Sequence, residues 1–409
     1  MTAGLKNVIV VGGSFVGLAA VKELAALLPV THRVLLIEPH SHFHHLFAFV
    51  SIQPAQPQHI LTLQPRFAIV PEHEHKAFIP YTGFFSSLPN VTNHAIVRAR
   101  AVSLQKNQIT LDRPWQGSTE IPFDYAVVAT GTRLQSPSNM QHDDKKPSVD
   151  YFKTYQQGIK NAESIVIVGG GAVGVQMATD LGEVYPGKKV TLVHSRDRLM
   201  QLYHPKMDAI IRDRLQELGV DVVTGTRAVI PDKGFPTDGS SFELELKDDR
   251  KIPTNLVIPA TGQTPNNQFL QDLQPTPGHE ILNQTNGFIK VSPTLQFADP
   301  AYPNLYACGD IADSGAHKAA RPGAAQAAVV AQNIAAMVQG GSPTNNITVD
   351  PPAIHLSLGL TKNMVFRNPP KGQTEPMIIW RDDGARDMKI EGVWERRGMR
   401  VARLDDYHL

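Results

Sequence analysis

The 409-residue sequence predicts an α/β fold. Two glycine-rich turns, at Gly12 and Gly169, each follow an apolar run rich in valine and isoleucine and precede apolar residues at helical spacing. A second β-branched run follows each helix, so the order strand, tight turn, helix, strand occurs twice. This is the order of a Rossmann-like βαβ unit that binds a dinucleotide. We therefore expect two such units and a small C-terminal α+β region.

The first unit carries Gly12, Gly13, Ser14 and Gly17 in and after its turn, and its second strand ends in Glu38. The glycines permit a tight turn, and the N-terminus of the following helix offers free N–H groups to a pyrophosphate. The acid accepts hydrogen bonds from a ribose. Ser14 stands where the usual pattern has its middle glycine, so its hydroxyl either turns aside or donates to a phosphate oxygen.

The second turn carries the complete glycine motif, with Gly169, Gly171 and Gly174. The position expected to be acidic is His194, followed by Ser195 and Arg196. Because no carboxylate repels a 2′-phosphate and a guanidinium can bind one, this site is predicted to favour NADPH. Use of NADH as well is the alternative, and so is a merely solvated arginine loop.

Composition narrows the functional classes. The net charge is +1, with 42% hydrophobic and 19% charged residues, which gives no electrostatic case for binding nucleic acid. No apolar run approaches 18 residues, and the chain enters its first predicted strand at once, so we expect no signal peptide, no transmembrane segment and a cytoplasmic protein. The ending Tyr407-His408-Leu409 differs from a peroxisomal tripeptide in its first residue, which disfavours that location.

Two Ala-Thr-Gly turns mark the ends of the βαβ units, one with Thr130 and Gly131 and the other with Gly262. If each turn returns the chain toward the other unit, three regions follow: a discontinuous first nucleotide-binding domain of residues 1–145 and 280–345, a second nucleotide-binding domain of residues 146–279, and a C-terminal region of residues 346–409, which would lie on the acceptor side or mediate dimerisation. Residues 232–249 are predicted to form a hairpin, and residues 354–358, 377–380 and 388–390 short strands.

These turns, Glu38 and the run Tyr306 to Asp310 together resemble the glutathione-reductase-type flavoprotein superfamily. The resemblance implies that the first unit takes FAD and the second NAD(P)H. It also implies that Asp310 contacts the flavin ribitol and that Gly309 allows a close approach.

Four further segments resemble the apoptosis-inducing-factor-like, mitochondrion-associated branch, which includes ferroptosis-suppressor quinone reductases: Phe43 to His45, residues 174–178, residues 185–195, and Arg386-Asp387 with Trp394. This resemblance implies NAD(P)H oxidation through FAD, with quinones as acceptors. It also leaves open a peripheral contact with mitochondria, lipid droplets or another membrane, and either a monomer or a homodimer.

Three residues are predicted to act in the chemistry. Gln176 stands where many relatives have Glu and is expected to face the nicotinamide ring. Lys318 and Arg321 precede a predicted helix of residues 324–338, and its N-terminus together with these cations would stabilise a reduced flavin anion. The alternative is that both charges face water. Ser51 replaces an arginine that a relative offers to the FAD pyrophosphate.

Cys308 is the single cysteine, so a dithiol relay within this chain is excluded. The histidines between His40 and His45 could bind a metal, but no cysteine or spaced acid completes a site, and none is predicted. We expect an FAD-dependent NAD(P)H oxidoreductase with a small quinone-like electron acceptor. A tailoring oxidoreductase for a secondary metabolite and a nucleotide-dependent redox switch that binds partners are the alternatives.

Overall fold

A computed structural model describes residues 4–45, 48–49, 62–63, 65–134, 136–137 and 139–409. In these ranges the strands are β1 Lys6–Val11, β2 His32–Ile37, β3 His42–His44, β4 Ala48–Phe49, β5 Thr62–Leu63, β6 Phe78–Pro80, β7 Ala95–Val97, β8 Ala101–Leu104, β9 Gln108–Trp115, β10 Ser118–Pro122, β11 Tyr125–Val128, β12 Thr132–Arg133, β13 Ser164–Val168, β14 Lys189–Val193, β15 Asp221–Val223, β16 Phe242–Glu245, β17 Lys251–Thr254, β18 Leu256–Pro259, β19 Thr264–Pro265, β20 Ile289–Lys290, β21 Leu305–Ala307, β22 Ala312–Asp313, β23 Ala353–Ser357, β24 Asn363–Arg367 and β25 Met377–Arg381.

The α-helices are α1 Phe15–Leu27, α2 Tyr81–Ser86, α3 Lys145–Asn161, α4 Ala172–Val184, α5 Lys206–Glu217, α6 Ala320–Val338 and α7 Glu391–Arg396. No helix among the described residues is long and apolar enough to cross a membrane.

The first unit is a parallel sheet in the order β21-β11-β1-β2-β7. Val8, Ile9 and Val10 in β1 are fully buried, because a parallel strand at the centre of such a sheet is covered on both faces. Helix α1 follows β1 and packs against α6, which comes from much later in the chain. Strand β21 likewise joins this sheet after the second unit is complete, so the first unit is discontinuous in sequence.

The second unit is a four-stranded parallel sheet in the order β15-β14-β13-β18. Its β13, α4 and β14 repeat the arrangement of β1, α1 and β2. The α/β fold with two Rossmann-like units is therefore confirmed. The exact domain boundaries stay a prediction.

The C-terminal region packs against both units. Strands β23, β24 and β25 form an antiparallel sheet, and Leu356 and Phe366 join the core that contains Val175 of α4. Trp394 in α7 is fully buried and joins the core of the first unit instead. The region thus links the two nucleotide-binding units.

One local prediction is wrong, and another is shifted along the chain. Residues 388–390 form a turn instead of a strand, because Met388 and Lys389 have left-handed backbone with φ of 58° and 52°. The hairpin predicted for residues 232–249 lies further on, where β16 pairs with β17. Asp249, the last residue of the predicted hairpin, lies in the turn between these two strands and has φ of 65°.

Candidate active site

The two glycine turns have matching geometry. Gly12 and Gly169 have φ of +103° and +127°, and a Cβ atom there would lie 2.6 Å from the carbonyl oxygen of Ala129 and 2.4 Å from that of Ala260. These contacts are too short for any side chain, so both turns require glycine. Gly17 and Gly174 are equally constrained, since a Cβ at either would lie 1.7 Å from the preceding turn's carbonyl oxygen.

Glu38 is held against the first turn. One of its carboxylate oxygens accepts a hydrogen bond from the backbone N–H of Gly13, and the other accepts one from the backbone N–H of His40 at 3.0 Å. Burial acts to raise the pKa of Glu38, but hydrogen bonds from His40 and Gly13 and the charge of His40 outweigh it and lower the pKa. Glu38 is therefore an ionised acceptor beside the turn.

Glu38 also lines a groove of about 540 Å³ together with Gly12 and Thr130. Thr130 lines a second cleft of about 550 Å³ as well, so the two cavities meet. Each volume lies within the usual range for ligand pockets, and two adjoining cavities suit a long, two-part ligand such as a dinucleotide.

The larger cleft lies where the two units face each other. Among the predicted site residues it is lined by Ser14, Thr130, Gly131, Gly171, Gly262, Asp310 and Lys318. Helix α1 begins after Ser14 and helix α4 after Gly171, and neither N-terminus has a side-chain cap. Both helix N-termini therefore keep polar backbone groups available to an anion.

Gly309 brings α1 close to the Asp310 segment. It has φ of +77°, and a Cβ atom there would lie 3.0 Å from Cγ2 of Val16. Asp310 is half-buried, and burial raises its pKa while Lys318 opposes the shift. Lys318 lies 4.0 Å from the ring centroid of Phe288 and donates to the carbonyl oxygen of Ala312. Burial lowers the pKa of Lys318, against the charges of Asp310 and Asp313.

Arg321 does not join Lys318 in this cleft. It lies in the first turn of α6, which begins at Ala320 and so starts earlier than predicted, and it lines a different cavity. Arg321 is exposed, and the two predicted cations therefore line two different cavities.

Gln176 also departs from its prediction. Its side chain is fully buried and does not line the cleft, and Nε2 donates to Oγ of Ser357 at 2.9 Å. Its Oε1 has no hydrogen-bond partner among the described residues. The C-terminal sheet covers this part of α4, which is why Gln176 does not line the described cleft.

His194 stands at the position of the usual acid and accepts the same backbone hydrogen bond that Glu38 accepts in the first unit. The backbone N–H of Gly170 donates to Nδ1 of His194 at 3.0 Å, as that of Gly13 donates to Glu38. Burial lowers the pKa of His194, which favours the neutral ring that can accept this bond. Ser195 is half-buried, and Arg196 is exposed with no ion pair in the described part of the chain.

Sequence reasoning missed three residues near these turns. The hydroxyl of Tyr81 donates to the carbonyl oxygen of Gly13 at 3.0 Å. Asn266 donates to the carbonyl oxygen of Thr130 at 2.9 Å and thereby joins the two Ala-Thr-Gly turns. Arg397 lies 4.2 Å from the ring centroid of Phe43. Only Asn266 gave a signal, because it lies four residues after Gly262 of the second Ala-Thr-Gly turn.

Two other predictions concern the histidines between His40 and His45 and the nearby Ser51. No group of three or more His, Cys, Asp or Glu side chains in the described ranges could hold a metal ion. Ser51, predicted to replace a pyrophosphate-binding arginine, lies outside the described residues.

Comparison with known proteins identifies the family. The model of the pyridine nucleotide-disulphide oxidoreductases matches residues 6–334. The chain belongs to this family. Its relatives include Fe-regulated protein 8 of Mycosarcoma maydis, which is 34% identical over 96% of this chain and 95% of its own length. Ferroptosis suppressor protein 1 of Mus musculus is 26% identical over 81% of this chain and 80% of its own length.

The solved structure of reduced Bacillus anthracis CoADR-RHD has the same fold, with a TM-score of 0.66, 18% identity and 90% of this chain covered. This chain spans 62% of that longer protein. The flavoprotein resemblance is thus confirmed, and this oxidoreductase depends on a flavin and a pyridine nucleotide. The family's name refers to disulphide chemistry, but this chain has a single cysteine, Cys308. The side chain of Cys308 is fully buried, and burial raises its pKa to about 12.

The residues of the first unit fit FAD. The glycine cradle at Gly12 and Gly13 leaves no room for a side chain, and Glu38 and the uncapped helix α1 provide an acceptor and an anion site. The adjoining cleft, which shares Thr130 with the groove, holds Asp310 and Lys318, an acid and a cation that would contact the other half of the cofactor.

Proposed function

We propose that this oxidoreductase uses FAD to pass electrons from NADPH to a quinone-like organic acceptor. The observation that carries the proposal is the pair of adjoining cavities, a groove at Gly12 and Glu38 and a cleft lined by the starts of α1 and α4, which share Thr130. The relatives named ferroptosis suppressor protein and FAD-dependent oxidoreductase, the latter 30% identical over 65% of this chain, are consistent with it.

FAD, when bound, supplies the chemistry, since it accepts a hydride from a reduced nicotinamide and releases electrons to an acceptor. Glu38 and the first glycine turn would hold the adenosine and pyrophosphate part of the cofactor. Asp310 would accept hydrogen bonds from its ribitol hydroxyls. Lys318 would place positive charge where negative charge develops on reduction.

NADPH would lie on the second unit. Helix α4 begins at Ala172, directly after the uncapped Gly171, and would face the coenzyme pyrophosphate. Arg196 is exposed and would pair with the 2′-phosphate, a contact that no carboxylate at position 194 opposes. Because His194 holds the turn through a neutral ring nitrogen, the acid is dispensable for local structure.

Double-mixing stopped flow tests the electron transfer. The protein is first reduced with NADPH and then mixed with excess 1,4-naphthoquinone, while flavin absorbance is followed. We expect reoxidation by the quinone to be much faster than by dissolved oxygen. Lys318→Met should slow flavin reduction or reoxidation, whereas Lys290→Met, at an exposed ion pair with Glu280, should not. Equal rates with quinone and with oxygen alone would contradict the proposal.

Coenzyme choice is tested separately. Arg196→Glu should shift the ratio of kcat/KM for NADPH over NADH toward NADH, by a factor that corresponds to loss of a charge-assisted contact of about 1 to 3 kcal/mol. Arg227→Glu makes the same charge change at another exposed arginine of this unit and should leave the ratio unchanged. An equal loss with both coenzymes in Arg196→Glu would show that Arg196 is structural.

A further inference from the structure

A third cavity, of about 200 Å³, lies between the start of α6 and the C-terminal sheet. It shares Ala319 and Ile354 with the cleft, so the two cavities adjoin. Its volume lies below the range for drug-sized ligands, so it suits a small molecule or one end of a larger one. Its ionisable lining residues are His317, Arg321, Asp350, His355 and Arg367.

The sheet places two of these residues on one face. Ala353 pairs with Arg367 and His355 with Val365, and side chains two positions apart on a strand lie on the same face. The alternate residues Leu356 and Phe366 lie in the core on the opposite face. His355 and Arg367 therefore face the cavity from a sheet whose other face is fixed by packing.

His355 presents a hydrogen-bond acceptor without a partner. Nδ2 of Asn363 donates to the carbonyl oxygen of Thr361 at 3.1 Å and to Oδ1 of Asp383 at 3.2 Å, which leaves Oδ1 of Asn363 to accept from Nε2 of His355. Nδ1 of His355 is then an acceptor, and it has no hydrogen-bond partner among the described residues. The side chain is only 5% exposed, so bulk water does not reach it readily.

Positive charge exceeds negative charge around this acceptor. Nε of Arg367 is buried without a hydrogen-bond partner in the described ranges, and Arg321 has no ion pair there. Nε2 of His317 donates to the carbonyl oxygen of Ala353 at 3.1 Å, and burial lowers the pKa of His317. Asp350, the one acidic lining residue, is exposed. A partly buried guanidinium without a partner is costly, and a bound anion removes that cost.

We propose that this cavity binds a small organic acid, whose carboxylate pairs with Arg367 and Arg321 and whose hydroxyl donates to Nδ1 of His355. The acid is either the acceptor itself or a separate ligand beside it. Binding of the acid does not depend on the proposed electron transfer. Only its identity as the acceptor rests on the proposed function.

Calorimetric titration of the purified holoprotein tests the site, with benzoate, the three hydroxybenzoates and the neutral isostere benzamide as probes. We expect benzoate to bind at least tenfold more tightly than benzamide. At least one hydroxybenzoate should bind more tightly than benzoate, because its hydroxyl meets Nδ1 of His355. His355→Phe should abolish that advantage and leave benzoate binding.

Arg367→Gln should weaken benzoate binding at least tenfold, and Arg367→Lys should recover part of it. Arg381→Gln is the matched control, because Arg381 lies on the same sheet but does not line the cavity. Thermal melting of each variant shows whether it is folded. Absent benzoate binding, or equal weakening in the Arg367 and Arg381 variants, would overturn the proposal.

Steady-state kinetics distinguish the two sources of the acid. Inhibition by the best hydroxybenzoate that is competitive with 1,4-naphthoquinone indicates that the cavity belongs to the acceptor site. Inhibition that is not competitive indicates a separate acid. If the protein reduces no quinone at all, the proposed function fails, whereas the calorimetric result still decides whether the acid site exists.

Discussion

Two neighbouring glycines of the second turn, Gly170 and Gly171, differ in the space that a side chain would find there. A Cβ atom at Gly170 would lie 2.4 Å from Cδ2 of Leu199 and 2.7 Å from Cγ of His194, whereas a Cβ at Gly171 meets nothing within 4 Å. Gly171 lines the cleft instead. Packing inside the protein therefore excludes a side chain at Gly170, whereas a side chain at Gly171 would extend into the cleft.

The two substitutions should therefore separate stability from binding. Gly170→Ala should destabilise the fold by about 1 to 3 kcal/mol, because the methyl group overpacks the turn. Gly171→Ala should leave the melting temperature almost unchanged and raise KM for NADPH, since a methyl group would stand between the backbone and the pyrophosphate. Melting curves and coenzyme titrations check both. The same melting loss in both variants would contradict this assignment.

Arg397 is the second residue whose role can be isolated. Its guanidinium lies 4.2 Å from the ring centroid of Phe43 and 5.5 Å from that of Phe15, which lines the cleft. Burial lowers the pKa of Arg397 to about 10, so it remains charged at neutral pH. It therefore adds positive charge beside the first glycine turn.

We expect Arg397→Met to weaken FAD retention several-fold, because it removes this charge and its cation–π contacts. Arg396→Met, at the exposed neighbouring position, should retain FAD as the wild type does. Flavin content after gel filtration, measured at 450 nm, is the readout. Full retention in Arg397→Met would mean that this guanidinium only packs against the rings.

At the scale of elements, the sequence predicted what local residues determine. The strand, glycine turn and helix of each βαβ unit are adjacent in the chain, so β1 with α1 and β13 with α4 were correctly predicted. Strand β24 was missed, because its pairing with β23 is tertiary and Asn363 and Arg367 at its ends are poor strand signals. Tyr81 and Arg397 reach the first turn from distant segments, which no local pattern reveals. Gln176 lies away from the cleft because the C-terminal sheet covers it.

Polar contacts hold the last residues of the sequence, Tyr407 to Leu409, against the first unit. Nζ of Lys145 donates to the carbonyl oxygens of Phe78 and Tyr407 at 3.1 and 2.6 Å. Nε2 of His42 meets the backbone oxygen of Leu409 at 3.0 Å, and His75 stacks on His408 with ring centroids 4.4 Å apart. These contacts fix the last residues against α3 and β3.

These polar contacts make stability depend on pH. Burial, followed by the nearby positive charges, lowers the pKa of His42 and of His75 from 6.5 to about 4. Because these pKa values lie below those of the unfolded chain, the unfolded state binds protons first. The stability is present above about pH 6.5 and is lost as the pH falls toward 4. Melting temperatures between pH 4 and 8 should fall less steeply in the His42→Gln/His75→Gln double variant. An unchanged slope would exclude these two rings as the source.

At the scale of the molecule, one buried ion pair joins distant parts of the chain. Arg66 donates to both carboxylate oxygens of Asp180 at 2.9 and 2.8 Å, and both side chains are almost fully buried. The same guanidinium donates to the carbonyl oxygen of Gly359 at 2.7 Å and to that of Ala385 at 3.1 Å. Burial raises the pKa of Asp180, and the charge of Arg66 opposes this shift.

Breaking this pair should destabilise the whole protein. Arg66→Met leaves a buried carboxylate without its partner, at an expected cost of about 3 to 5 kcal/mol. Glu243→Gln breaks the exposed pair with Lys251 and should cost less than about 1 kcal/mol. Urea unfolding followed by far-ultraviolet circular dichroism measures both. Similar midpoints for the two variants would show that Arg66 does not join the units.

The buried thiol of Cys308 should make the enzyme resistant to reagents that modify thiols. It is fully buried, and with its pKa near 12 the nucleophilic thiolate hardly forms at neutral pH. An enzyme whose electrons pass through a sulfur pair stops when peroxide or an alkylating agent reaches that pair. This chain offers such reagents no exposed sulfhydryl, so its turnover should persist after treatment with iodoacetamide or hydrogen peroxide. Oxidative damage would then silence thiol-dependent reductases in the same cell while this one continues to work.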